Sequence, residues 1–495
     1  MSVAHLTLDP AYRIAPVDPR LFGSFVEHMG RCVYTGIFEP GHPTADDDGL
    51  RGDVLELVRE LGVSLVRYPG GNFVSNYRWE DGVGPAGDRP RRLDLAWRTL
   101  ESNRFGLNEF MRWADLAGVE PMMAVNLGTR GVPEAAELVE YCNLAGGTAA
   151  SDLRRKHGVL NPHDIKLWCL GNEMDGPWQI GNLTALEYGR LAARAGHAMK
   201  RVDPRIELVA CGSSNADMPT FAAWEATVLE AAYDQVDYLS LHQYYDPDKH
   251  DEASFRASAV DLDGFIDDVI ATADHVRAKL RRTKRINLSL DEWNVWYQSR
   301  FTEPEDRGIE DTPVLIEDDY TVTDAMVVGN LLISMLRHAD RLTVGCQAQL
   351  VNIIAPIRTQ AGGPAWRQTI FHPFAHTARL AQGTVLRVAL DSPVMPAGRY
   401  GEASAVDAVA THDEETGALT VFAVNRSTEE VRLELDLRAF PKHRPSGQIE
   451  LAEDDPQLIN TMGAPDRVVP KSRPGGTSVV LPPVSWHALS FEEQS

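Results

Sequence analysis

The chain has 495 residues and carries 48 Lys and Arg against 71 Asp and Glu, a formal charge of −23 at pH 7. That excess opposes a polyanionic partner such as nucleic acid or an anionic membrane surface. With 43% hydrophobic and 24% charged residues, the composition is that of an ordinary globular protein and excludes disorder and coiled coil. Strand-like runs occur at Leu21–Glu27, Ser64–Pro69, Pro121–Asn126, Ile165–Leu170, Glu207–Ala210, Tyr238–His242, Ile286–Leu290 and Leu342–Gln349. Between them lie helical patterns at Val54–Leu61, Leu107–Ala117, Glu134–Ala145, Ala185–Lys200, Phe221–Ala232, Phe265–Leu280 and Thr323–Ala339. The fourth opens on a capping box, Thr184-x-x-Glu187, whose two side chains satisfy orphan backbone donors. Eight β-then-α units over about 365 residues predict an α/β fold, a (β/α)8 TIM barrel with long loops.

After about residue 385 the texture changes. Val406–Ala410, Leu419–Val424, Val431–Leu437, Gln448–Leu451, Ser478–Leu481 and Trp486–Phe491 are short strand-like runs separated by turn residues. They predict an antiparallel, jelly-roll-like β-sandwich. The length prior of about 150 residues per domain gives three domains, but the pattern gives two. These are a catalytic barrel over 18–385 and a sandwich over 386–495, with residues 1–17 and their strand-like Ala4–Leu8 completing the sandwich.

The five cysteines are scattered and form no CxxC pair, which predicts reduced, buried thiols and no zinc knuckle. The N-terminal MSVAHLTLDPAYRIAP has no basic n-region or apolar core of a signal peptide, so a cytoplasmic protein is expected. The sequons at Asn182, Asn287 and Asn425 would then be silent. The most apolar stretch, Met326–Leu336, is far too short to span a membrane. HExxH, GxSxG and P-loop signatures are absent, and no cofactor or metal is expected. Gly70-Gly71 reads instead as a place where backbone comes close to a site around Asn72. The loop 301–320 holds eight acids against Arg307 and follows the seventh strand, as a solvated insertion or a wall of the barrel mouth.

Barrel chemistry sits at the carboxyl ends of strands. The fourth run ends in Gly171-Asn172-Glu173 and the seventh in Asp291-Glu292-Trp293. The two glutamates are about 120 residues apart, roughly three βα units, which places them across the mouth from each other. Two facing carboxyls, one protonated and one ionised, are what glycoside hydrolysis requires. Strand alternation sends Asp291 to the opposite side from Glu292, in a structural role.

The strings Phe22-Gly23-Ser24-Phe25-Val26-Glu27-His28, Arg67-Tyr68-Pro69-Gly70-Gly71-Asn72-Phe73, Trp168-Cys169-Leu170-Gly171-Asn172-Glu173-Met174-Asp175-Gly176 and Asp291-Glu292-Trp293-Asn294-Val295-Trp296-Tyr297 resemble the family-51 α-L-arabinofuranosidases over essentially the whole chain. The resemblance implies a retaining, exo-acting enzyme that releases terminal α-L-arabinofuranose from arabino-oligosaccharides. Glu173 would be its acid/base and Glu292 its nucleophile. It implies that Asn172 holds the sugar 2-hydroxyl and that Glu27, Asn72 and Gln349 bind the remaining hydroxyls. Arg67 and Tyr244 would orient the nucleophile, with His242 in the same network, and Trp97 and Trp296 would wall the pocket. Bland alternatives remain: a structural ion pair for Arg67, support of the carboxylates rather than proton transfer for His242, and core packing for the tryptophans. The resemblance also implies a homohexamer. A barrel glycosidase for another sugar, such as an endoglucanase or xylosidase, and a non-catalytic carbohydrate-binding descendant are the competing readings.

Overall fold

A computed structural model describes residues 1–302 and 308–494. Its centre is a closed, all-parallel barrel of β1 (Gly23–Phe25), β2 (Leu65–Tyr68), β3 (Glu120–Ala124), β4 (Leu167–Leu170), β5 (Glu207–Ala210), β6 (Tyr238–Tyr245), β7 (Asn287–Val295) and β8 (Leu342–Gln347). Each strand pairs with the next, and Cys346 and Gln347 of β8 close the ring on Gly23 and Ser24 of β1. Such strands are covered on both faces, so they read as unbroken apolar runs: all four residues of β2 and of β4 are buried. A helix follows each strand in turn. These are α1 (Gly52–Leu61), α2 (Leu107–Ala117), α3 (Val132–Asn143), α4 (Ala185–Val202), α5 (Ala223–Ala232), α6 (Ser258–Lys279), α7 (Val322–Arg337) and α8 (Phe371–Leu380). The Thr184–Glu187 capping box is present at the start of α4. The barrel expectation holds, and α8 is a helix that sequence periodicity did not reveal.

Helix α7 explains the apolar stretch Met326–Leu336. Val322–Leu336 is buried on every side because the helix lies between β7 and the strands Val406–Asp413, Ala418–Asn425 and Ser485–Glu493. Gly329 permits that approach: a Cβ there would lie 2.1 Å from Cδ1 of Trp486. Polar links also cross the same seam, among them Asn330 to Asp407 at 2.8 Å and an Arg337–Asp407 ion pair.

The C-terminal region is built from a seven-stranded and a four-stranded sheet. A second apolar core, including Leu6, Val421, Leu433, Leu481 and Leu489, lies among their strands. Ser2–Thr7 belongs to the four-stranded sheet and runs parallel to Val431–Asp436, a departure from the all-antiparallel expectation. No hairpin joins these two segments, so nothing in the connection forces antiparallel pairing. The five cysteines are buried and unpaired.

Candidate active site

The carboxyl ends of the barrel strands open into a cavity of about 680 Å³. Glu173 follows β4 with a backbone φ of +42°, a left-handed conformation that is uncommon away from glycine and gathers at functional sites. Glu292 lies on β7 where the β6 register slips between Leu241 and His242, so that His242 stands opposite Glu292. The nearest ligand atoms of Glu173, His242 and Glu292 all lie within 4.8 Å of one another.

The two carboxyls have different partners. Glu292 accepts from Arg67 Nη1 at 2.8 Å and from the Tyr244 hydroxyl at 2.7 Å. Glu173 receives the Trp178 indole N–H at 2.6 Å and lies 2.9 Å from His242 Nδ1. His242 Nδ1 is also 3.7 Å from Glu292. Burial pushes both carboxyls up. At Glu173 it outweighs the His242 contact and the acid is held above its ordinary range. At Glu292 the charges of His242 and Arg67, with the Tyr244 hydrogen bond, outweigh burial and hold the group below it. Burial lowers His242, but the two carboxylates reverse this and raise it. One carboxyl therefore favours its proton and its neighbour favours charge.

The same three side chains are the group, among the described residues, with metal-ligand geometry. Arg67 already places a full positive charge 2.8 Å from Glu292, which works against a bound cation. The donor set fits proton transfer better than ion coordination.

Glu27, at the end of β1, forms the other side of the pocket. Its Oε1 accepts from the Phe73 backbone N–H and the Trp97 indole, each at 3.0 Å, and its Oε2 from Gln349 Nε2 at 3.0 Å. Burial, with the nearby Glu292 charge, pushes Glu27 up to about 8. Gly71 matches the reading of a close backbone approach, since a Cβ there would lie 2.9 Å from Glu292 Oε1. Trp296 packs edge-on against Tyr244 at 5.2 Å.

Glu27, Asn72, Trp97, Glu173, Tyr244, Glu292, Trp296 and Gln349 line the cavity. Arg67, Asn172 and His242 stand behind its wall, 1%, 1% and 2% exposed. Asn172 spends its Oδ1 on Arg67 Nη2 at 2.6 Å and its Nδ2 on Asn72 and Gln179 at 3.1 and 3.3 Å. Strand alternation fails at Asp291. It does not go to the opposite side from Glu292: both carboxyls face Arg67, with Asp291 Oδ2 3.9 Å from Nε. The irregular pairing between Leu290 and Trp293 breaks the two-residue period there.

Sequence reasoning missed Trp178 and Gln179. Both lie on the loop that carries Glu173, and Trp178 is 48% exposed beside the acid. A tryptophan five residues after a strand-end glutamate was the available signal. Of loop 301–320, residues 303–307 lie outside the described residues. Phe301 and Ile316 line the cavity, and Glu317 is tied to Arg31 and Arg358 at 2.6 and 3.1 Å.

Residues 57–261 match the model of the α-L-arabinofuranosidase 1 domain, and residues 291–485 that of the α-L-arabinofuranosidase C-terminal domain. An intracellular exo-α-(1→5)-L-arabinofuranosidase of Streptomyces lividans is 57% identical over 99% of this chain and 75% of its own. An exo-α-(1→6)-L-arabinofuranosidase of Bifidobacterium longum is 50% identical over 98% of this chain and 97% of its own. The solved structure of a family-51 α-L-arabinofuranosidase from Bifidobacterium longum superposes with a TM-score of 0.96 at 47% identity, covering 99% of this chain and all of that one. With the barrel, the paired glutamates and this likeness over its full length, the chain belongs to the family-51 α-L-arabinofuranosidases, a family of glycoside hydrolases.

Proposed function

We propose that the protein is a retaining, exo-acting α-L-arabinofuranosidase that removes terminal non-reducing arabinofuranosyl groups from arabino-oligosaccharides, including arabinan and arabinoxylan fragments. The observation that carries this reading is the pair Glu173 and Glu292, within 4.8 Å of each other and shifted in opposite directions by their surroundings, Glu173 up and Glu292 down. Retaining enzymes hold their carboxyls about 5–5.5 Å apart, whereas inverting enzymes need about 6.5–9.5 Å to admit water. In the first step a Glu292 oxygen forms a bond to the anomeric carbon as the glycosidic C–O bond breaks. Glu173 gives its proton to the departing oxygen. In the second, Glu173 takes a proton from water, whose oxygen displaces Glu292 and releases arabinose.

Arg67 and Tyr244 orient Glu292 and stabilise its charge. Glu27, Asn72 and Gln349 bind sugar hydroxyls, while Trp97 and Trp296 give the apolar walls. The resemblance implies that Asn172 holds the 2-hydroxyl. Its two amide hydrogens are engaged by Asn72 and Gln179, so we assign it first to holding Arg67 and Asn72, with the 2-hydroxyl taken in exchange for one of them. His242 supports both carboxylates rather than carrying a proton. Relatives of similar identity are named for (1→5) and (1→6) linkages, so overall likeness does not set the linkage. We further infer a cytoplasmic homohexamer with two domains, 18–385 and 386–495, the second completed by 1–17. Cell fractionation, light scattering and limited proteolysis test these three points.

The decisive assay compares hydrolysis of aryl α-L-arabinofuranoside, xyloside and glucoside by the wild type and Glu292→Ala, with NMR of the first-formed anomer. Arabinofuranoside cleavage giving the α-anomer, lost in Glu292→Ala, is the expected result. Glu173→Ala loses less on substrates with good leaving groups, which need little protonation. An intact arabinofuranoside, a first-formed β-anomer or an active Glu292→Ala each refutes the corresponding assignment.

A further inference from the structure

The cavity does not end at the catalytic pair. It continues past β6 to Gln243, Tyr245 and Asp261, and from there to Arg399 and Tyr400. Alternation along β6 makes this possible. His242 and Tyr244 turn to the two glutamates, while Gln243 and Tyr245 turn the other way, to Asp261 Oδ2 at 3.1 and 3.2 Å. Gln243 is 9% exposed, and its Oε1 has no partner among the described residues.

The far wall comes from the C-terminal region. Val394–Pro396 and Glu402–Ser404 form a two-stranded hairpin whose tip, Gly398–Tyr400, rests on the segment between β6 and α6. Gly398 has φ +55°, and a Cβ there would stand 2.1 Å from Ser254 Oγ. The Arg399 backbone N–H donates to Ser254 Oγ at 2.9 Å. Its guanidinium lies 2.7 Å from His250 Nε2, 3.6 Å from Asp261, and 5.1 Å from the centre of the Tyr400 ring. The Tyr400 phenol also engages Asp261.

We propose that this outer part of the cavity is the distal leaving-group site, and that the hairpin 394–404 belongs to the substrate-binding machinery. Its occupant is the third and later pentose rings of an arabino-oligosaccharide whose terminal ring lies at Glu292 and whose second ring takes the place of an aryl leaving group. The inference rests on the arabinofuranosidase reading above and adds the chain length of the substrate. Three observations carry it. The cavity is continuous with the catalytic pair, and its volume suits a ligand larger than one pentose, within the range of about 300–1,000 Å³ for small-molecule sites. The wall mixes donors and acceptors of both charges around a tyrosine ring. Such a wall hydrogen-bonds and stacks neutral, hydroxyl-rich rings, whereas an anionic ligand would meet Asp261.

The test measures kcat/KM for an aryl α-L-arabinofuranoside and for (1→5)-linked arabino-oligosaccharides of two to five rings. The enzymes are wild type, the Arg399→Ala/Tyr400→Ala double variant, and Gly398→Val, which lifts the hairpin through its clash with Ser254. Wild-type kcat/KM rises with chain length. Both variants lose roughly tenfold on the longest substrates, chiefly in KM, as expected for one or two lost contacts of about 1 kcal/mol each. They change less than twofold on the aryl substrate, which also shows that they are folded. A flat wild-type profile, or variants whose ratio of long-chain to aryl activity equals that of the wild type, overturns the proposal. A wild type inactive on the aryl arabinofuranoside overturns the functional reading itself, and the distal site with it.

Discussion

Replacing Gly71 with alanine tests whether the close backbone approach at Glu292 is functional. The new methyl carbon would stand 2.9 Å from Glu292 Oε1 and 3.4 Å from Asn172 Nδ2. Ordinary contact begins at 3.4 Å, so the carboxylate or the backbone must give way by about 0.5 Å. Glu292 has little freedom to do so, because Arg67 holds one oxygen at 2.8 Å and Tyr244 the other at 2.7 Å. A misplacement of about 1 Å costs on the order of a hundredfold in rate. Half of that is worth roughly tenfold, or about 1.4 kcal/mol of barrier. The methyl group also enters the cavity that Gly71 lines, which raises KM. The expected result is a loss of about 10- to 100-fold in kcat/KM on an aryl α-L-arabinofuranoside, with a thermal midpoint lowered by a few degrees at most. Gly87→Ala is the control, since a Cβ there meets nothing within 4 Å. A folded Gly71→Ala enzyme with wild-type kcat/KM refutes the reasoning.

Trp178→Phe removes an indole donor that lowers Glu173. The acid then keeps its proton to higher pH, so the alkaline limb of kcat/KM moves upward; an unmoved limb would contradict the contact's role. Glu27, Asp94 and Asp324 are raised by burial to about 8, about 7 and about 6. Raised carboxyls bind more protons folded than unfolded, so their contribution to stability is full below their unfolded pKa and is lost as pH rises through the folded values. Calorimetry is expected to show the thermal midpoint falling between pH 5.5 and 8.5, with Glu27→Gln flattening part of the fall; a rising midpoint would overturn this. Gly329→Ala drives a methyl into Trp486 and is expected to cost about 1–3 kcal/mol of stability. Activity per folded molecule stays unchanged because Gly329 lies at the seam with the C-terminal sheets; lost activity in the folded fraction would show that the seam reaches the active site.

The barrel was legible because strands buried on both faces are written as continuous apolar runs, and seven helical patterns alternate with the eight of them. The paired glutamates were legible because strand ends are marked by where those runs stop. Four features were not, each for a physical reason. Helix α8 carries Pro373, which reads as a breaker although it sits in the first turn, where proline is tolerated. The parallel pairing of Ser2–Thr7 with Val431–Asp436 joins segments more than 400 residues apart, and such pairing leaves no local trace. Asp291 was sent to the wrong side because alternation assumes an unbroken ladder, and β7 pairs irregularly beside Glu292. Trp178 and Gln179 sit on a loop without any period to betray which way they point.

The neighbours of the pair also bear on how one carboxyl can serve as acid and then as base in the proposed mechanism. In the resting enzyme burial and the Glu292 charge both raise Glu173, while His242 and Trp178 pull it down. Forming the glycosyl-enzyme turns Glu292 into an ester and removes its negative charge. One of the two forces that held the proton on Glu173 then disappears, and the His242 contact at 2.9 Å remains. Glu173 must become more acidic at the moment the reaction needs it to accept a proton from water. The expected observation is a fall in the Glu173 pKa when Glu292 is trapped as an ester by a slow fluorinated arabinofuranoside, followed by carbon-13 NMR of the labelled carboxyl. Arg67→Met is not a substitute for trapping, because it leaves the charge on Glu292 and removes the group that stabilises it. A Glu173 pKa that stays in place or rises in the trapped enzyme would mean that burial alone sets it, and that the alternation of roles depends on something other than the charge of its partner.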